Sequence, residues 1–156
     1  MFRKTSRDWQ QGFTLVELMV AIAVLAVLVG LAMPSFQRFT AEQRVKAATS
    51  DLAASLNYAR SEAIMRKATV TVAPLTGGWE KGWSVQVGSL NLRSDSQSGV
   101  VIPAAPTASL QFDKTGRLDA DADQFEICDS QGTATKRTLK VSFSGRVSVT
   151  KGGDCE

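Results

Sequence analysis

Hydrophobic and polar positions divide the chain into three stretches with three different rhythms. From Phe13 to Met33 the side chains are apolar almost without interruption, and Glu17 is the only charged residue among them. A helix of that length measures roughly 32 Å, close to the hydrocarbon thickness of a bilayer. In lipid its backbone polar groups must pair within the segment, which dictates a helix. From Phe36 to Lys67 the pattern becomes amphipathic. Val45, Ala48, Leu52, Leu56, Ala59 and Ala63 recur every three or four residues and make one narrow stripe. Beyond Lys67 the period falls to two. Val70 and Val72, Trp83 to Val87, Leu110 and Phe112, Phe125 and Ile127, Leu139 to Phe143, and Val147 with Val149 read as six strands. Ser144-Gly145 marks a tight turn between the last two.

These rhythms predict an α+β protein: a long N-terminal helix packed against a mostly antiparallel β-sheet head. The stripe on 36–67 is too narrow to be stable alone and needs that head to cover it. Pro34 lacks the N–H that would bond the Gly30 carbonyl, so a kink or local melting is expected around 30–34, with a helix break after Ser35 as the competing reading. Residues 89–108 are polar or proline-containing and read as a long surface connection, in which Val100-Val101-Ile102 can add a short strand.

Charge changes the picture at two places. Arg3, Lys4 and Arg7 against one Asp8 precede the apolar run and favour an N-terminus held on the cytoplasmic side. A plain signal peptide and a simple anchor compete for the same run. The run is longer than an ordinary signal h-region, and Pro34 and Phe36 follow where small residues would be cleaved. Glu17 is the second place. A carboxylate four residues into an apolar helix is costly unless it is protonated, paired or near the interface. It is either a boundary residue reaching for the headgroups or a recognition residue inside the membrane. Were the chain cut after Gly12, the new amine on Phe13 would lie four residues before Glu17, on the same helix face. The carboxylate would then offset the unfavourable meeting of that amine with the helix dipole.

Gly12-Phe13-Thr14-Leu15-Val16-Glu17-Leu18 resembles the processing signal of type IV pilins and type II secretion pseudopilins. The resemblance implies cleavage by a prepilin peptidase between Gly12 and Phe13, methylation of the Phe13 amine, and use of Glu17 in docking during assembly. The expected organisation is a cleaved basic leader over 1–12, a membrane and filament-core helix over 13–35, an amphipathic helix over 36–67 and a β-rich head over 68–156. The leader carries three cations and one anion, so its removal takes the net charge from +3 to +1. A nearly neutral protein gives no general reason to bind nucleic acid.

The resemblance continues, more loosely, through Tyr58-Ala59-Arg60-Ser61-Glu62-Ala63, Gly82-Trp83, Phe112-Asp113-Lys114-Thr115-Gly116-Arg117 and Ser144-Gly145-Arg146. These look like the pseudopilin H and minor-pilin group, nearest the U-type minor pilins. The function implied is that of a structural subunit of a pilus tip or initiation complex supporting assembly, and through it motility or adhesion. A secretion pseudopilin and a DNA-binding minor pilin for uptake are the alternatives. The implied partners are the prepilin peptidase, other minor pilins and the major pilin, the inner-membrane assembly platform and the lipid bilayer. The implied location is the inner membrane with a periplasmic head, then an extracellular pilus.

The remaining candidates are few. Cys128 and Cys155 fit an oxidising compartment, and a disulfide between them would close a loop worth about 3.5–4 kcal/mol by chain entropy. Asp119, Asp121 and Asp123 have the opening spacing of a calcium loop, but Gln124 and Ser130 stand where Gly and Glu are required. Trp79 and Trp83 are either an exposed recognition pair or core with a loop cover. Arg146 is a candidate phosphate contact. The related DNA-uptake motif has a second arginine where this chain has Ser148, which weakens a DNA role. With no histidine in the chain, no nucleophile elbow and no phosphate loop, no catalytic constellation emerges, and no cofactor or metal is implied.

Overall fold

A computed structural model describes residues 13–106, 109–119, 123–153 and 155. Helix α1 runs unbroken from Leu15 to Arg66, with Pro34 inside it. The local melting expected over 30–34 and the break after Ser35 are therefore not seen. Missing one backbone hydrogen bond to Gly30 does not stop the helix, which continues on both sides of Pro34.

The helix stops by a backbone device. Lys67 adopts φ 52°, and the Ala68 N–H reaches back to the Ala63 carbonyl at 3.3 Å. This is a Schellman closure, which satisfies an orphan carbonyl and usually employs glycine.

Residues up to Gln37 and residues from Arg38 onward form two compact units. In the first, every described side chain is exposed. In the second, the amphipathic stripe is covered as expected. Val45, Leu52, Leu56, Ala59 and Ala63 are fully buried and Ala48 nearly so, with Ala41 extending the row by one turn.

The cover is antiparallel throughout, but it is two sheets rather than one. β1 (Val70–Leu75), β2 (Gly78–Val87), β3 (Leu90–Ser96) and β5 (Leu110–Phe112) assemble in the order β3-β2-β1-β5. β4 (Val100–Ala104), β6 (Asp123–Asp129), β7 (Arg137–Val141) and β8 (Val147–Lys151) assemble in the order β4-β6-β7-β8. Val70, Val72, Trp83, Val85, Leu110 and Phe112 from the first sheet, and Phe125, Ile127, Leu139 and Val141 from the second, join the helix stripe in one core.

The long connection expected over 89–108 is instead largely strand. β3 pairs with β2 from Gly82↔Ser96 to Val87↔Leu90. It is an edge strand with largely exposed side chains, so little hydrophobic alternation was needed to form it. The short strand at Val100–Ile102 is present, as part of β4. The turn at Ser144-Gly145 joins β7 to β8, which pair from Val141↔Val147 outward.

Candidate assembly site

The start of α1 is closed by its own side chains. The Thr14 N–H and the Thr14 hydroxyl both donate to Glu17 Oε2 at 2.9 Å. The Glu17 N–H donates back to Thr14 Oγ1 at 3.2 Å. Thr14 is thus the N-cap and Glu17 the third helical residue of a reciprocal capping box. Thr-x-x-Glu before an apolar run is the sequence signal of this box. Phe13 itself is highly exposed; Gly12 lies outside the described residues.

The capping box explains how a carboxylate is tolerated at this position. Its charge is held over the unsatisfied N–H groups and positive dipole end of the helix. The rest of the surface from Leu15 to Met33 is apolar and exposed, and the helix is long and apolar enough to cross a membrane.

In the head, Cys128 and Cys155 form a disulfide with Cα atoms 5.8 Å apart. Cys128 is buried in β6, so the bond fastens Cys155 to the second sheet. Beside it, Asp129 is buried, and its Oδ2 accepts from the Gln131 N–H and the Thr133 hydroxyl.

Neither tryptophan is an exposed recognition group. Trp83 is in the core. Trp79 is also buried, edge-on to Phe125 with ring centroids 4.9 Å apart, and its indole N–H donates to Pro106 O at 2.8 Å. The Trp83 N–H is buried without a hydrogen-bond partner among the described residues. Burial raises the Asp95 pKa, but hydrogen bonds from Arg93 and Ser55 and the Arg93 charge outweigh it and hold the group below the usual carboxylate range. Ser55, fully buried on α1, donates to Asp95 at 2.8 Å and so ties the helix to edge strand β3.

Of the three aspartates with calcium-loop spacing, Asp121 lies outside the described residues. No cluster of metal-ligating residues is found among those described.

The looser motifs converge in space. The Arg60 Nε–H donates to Gly116 O at 3.1 Å. Gly145 lies so close that a Cβ there would meet Gly116 O at 2.1 Å, and one on Gly116 would meet Ile64 Cδ1 at 2.7 Å. Both glycines also have positive φ, so close approach and backbone conformation exclude a side chain at each. The Leu118 N–H donates to Phe143 O at 3.0 Å, joining the two loops.

The loop before Gly116 is shaped by Asp113. Its Oδ1 accepts from the Thr115 N–H and hydroxyl, both at 2.7 Å, and from the Arg117 N–H at 3.0 Å. The backbone bond from Arg117 and those from Thr115 hold the Asp113 pKa below its ordinary value. Arg146 stands at the exposed end of the neighbouring turn. Its backbone is bonded to Ser142 in both directions.

Comparison with known proteins yields two family matches. A model described as type II transport protein GspH covers residues 48–145. One described as a prokaryotic N-terminal methylation motif covers residues 10–33. A fimbrial protein of Pseudomonas aeruginosa is 38% identical over 64 residues, 41% of this chain and 42% of its own length. The type IV major pilin protein PilE of Neisseria gonorrhoeae is 46% identical over 39 residues, 25% of this chain and 23% of its own. The chain therefore spans about two fifths or less of the curated relatives it matches.

Among solved structures, the type IV minor pilin FimU of P. aeruginosa superposes with a TM-score of 0.60 and 25% identity, over 71% of this chain and 99% of that one. The minor pseudopilin EpsH of Vibrio cholerae gives 0.55 and 10% identity, over 69% and 97%. The second likeness is one of fold alone.

Proposed function

This chain belongs to the family of type II transport protein GspH and is a structural subunit of the pilin and pseudopilin class; from that premise we propose that it is a minor pilin. It is cut between Gly12 and Phe13 by a prepilin peptidase and methylated on Phe13. It waits in the inner membrane with its head in the periplasm, and is then inserted at or near the tip of an extracellular pilus. There it initiates assembly with other minor pilins and joins them to the major pilin.

The observation that carries this reading is the start of α1. An apolar, exposed helix surface long enough for a bilayer holds a single carboxylate, clamped to the helix N-terminus by Thr14. In lipid such a helix is stable. Transfer into a filament replaces lipid contacts by neighbouring helices, which costs little because both surroundings are apolar. The carboxylate marks one level along the rod and so can set the axial register against the assembly platform and against neighbours. After cleavage the Phe13 amine competes with Thr14 for the same carboxylate, which couples processing to the state of the docking group.

The test is a Glu17→Leu chain in cells lacking their own copy. Membrane insertion and head folding are expected to stay intact while pilus number falls sharply. Filament-incorporated protein is expected to begin at methylated Phe13. Normal piliation by Glu17→Leu, or mature filaments that retain Met1, would overturn the assignment.

The secretion alternative has the GspH family description in its favour. The 25% identity to FimU over 99% of that chain favours the pilus. Mass spectrometry of proteins cross-linked to the chain in its own cells separates pilus partners from secretion partners. A DNA-uptake role rests only on Arg146 and has no second observation behind it.

A further inference from the structure

We propose that the surface made by Ile64, Phe143, Lys114, Arg117 and Arg146 is a docking face for an acidic surface on a neighbouring pilin-class subunit. This deepens the reading above and rests on it. Ile64 is 46% exposed and Phe143 53% exposed, large apolar side chains left open in a head whose other apolar residues mostly close into one core. The five residues belong to three segments that are fastened together. The loop at Gly116 lies against Ile64, the turn at Gly145 lies against Gly116, and Leu118 is bonded to Phe143.

The two loops 113–117 and 142–146 carry Lys114, Arg117 and Arg146 against one carboxylate, Asp113. That carboxylate is already occupied by N–H and O–H donors of its own loop. None of the three cations makes an ion pair among the described residues. An apolar centre with a charged rim is the anatomy of a protein interface, and three unpaired cations select a facing surface rich in Asp and Glu. Ile64 and Phe143 would gain nothing from a phosphate backbone, which argues for protein over nucleic acid.

The face is also pre-ordered. The Gly116 N–H donates to Asp113 O and the Gly145 N–H to Ser142 O, each at 2.8 Å. Little backbone freedom in these two loops is left to lose on docking.

The experiment uses the full-length chain in cells lacking their own copy, with a photoreactive phenylalanine analogue replacing Phe143. Illumination is expected to give an adduct with a pilin-class subunit, mapping to a segment that carries Asp or Glu. Combining Lys114→Glu, Arg117→Glu and Arg146→Glu is expected to lower adduct yield at least about tenfold, the scale of losing interface anchors. Reversing the mapped acidic residues to lysine is expected to restore it. Resistance of the head to limited proteolysis checks folding, and Arg146→Glu alone serves if the triple variant misfolds.

Adducts with lipid or nucleic acid only, no adduct, or a yield unmoved by charge reversal would each overturn the proposal. A parallel Glu17→Leu chain separates the two levels. If it blocks filament entry while charge reversal does nothing, only this face is lost. If it too enters filaments normally, the filament reading itself falls.

Discussion

The two halves of α1 are one continuous helix with opposite relations to their surroundings. From Leu15 to Met33 the apolar side chains go all the way round and are exposed. From Ala41 to Ala63 they form one buried row, and the remaining positions are mixed polar and charged, with local ion pairs at the two ends, Arg38–Glu42 and Arg66–Glu62. The first half is thus specified by apolar character rather than by fit, and should tolerate any apolar side chain of similar bulk. The second half is specified by shape, because its stripe residues are buried in one core shared with residues of both sheets. The same substitution should therefore have unequal effects in the two halves.

The largest effect is expected from that contrast itself. Leu56→Ala should lower head stability by about 2–5 kcal/mol, since it opens a cavity in a core that cannot collapse around it. Leu25→Ala should leave head stability unchanged. Denaturant unfolding of the full chain in detergent, followed through the buried tryptophans, reads both. Equal effects would erase the distinction.

Reduction of Cys128–Cys155 comes next. It should cost about 2–4 kcal/mol, by releasing a 27-residue separation in the unfolded chain. Unfolding with and without reductant measures it, and the loss should be confined to the head.

Removing the cap by Thr14→Ala should cost the first turn of the helix about 1 kcal/mol, with Thr14→Ser restoring it. Amide exchange of residues 15–18 in detergent is the readout, and the head should be unaffected.

Lys67→Gly should stabilise the head by about 0.5–1 kcal/mol, because lysine occupies a left-handed position that glycine adopts without strain.

The smallest effect is acid sensitivity. Asp95 and Asp113 have pKa values lowered by folding. The stability they contribute is complete above their unfolded values near 4 and is lost as pH falls through the lower folded values. Asp95→Asn and Asp113→Asn should flatten the pH dependence of unfolding below about pH 4.

Much of this was readable in advance, because much of it is local. A period of three and four picked out Val45, Ala48, Leu52, Leu56, Ala59 and Ala63, and all six are buried. A period of two located β1, the second half of β2, and β5 to β8. β3 escaped because Leu90–Ser96 takes its place from pairing with β2 and shows little alternation of its own. The capping box is legible in Thr14 and Glu17, three residues apart before an apolar run. The meeting of Arg60, Gly116 and Gly145 had no local signature, since these residues are up to 85 positions apart.

The amino-acid order alone settled that an apolar run, an amphipathic stripe and a set of alternating strands follow one another, since each depends on near neighbours and backbone geometry. The fold decided that the strands of the described residues divide into two sheets, that an edge strand forms from polar residues, and that three distant segments meet at Gly116. Those outcomes depend on which surfaces fit together once the chain has closed, and no short-range pattern encodes such a fit.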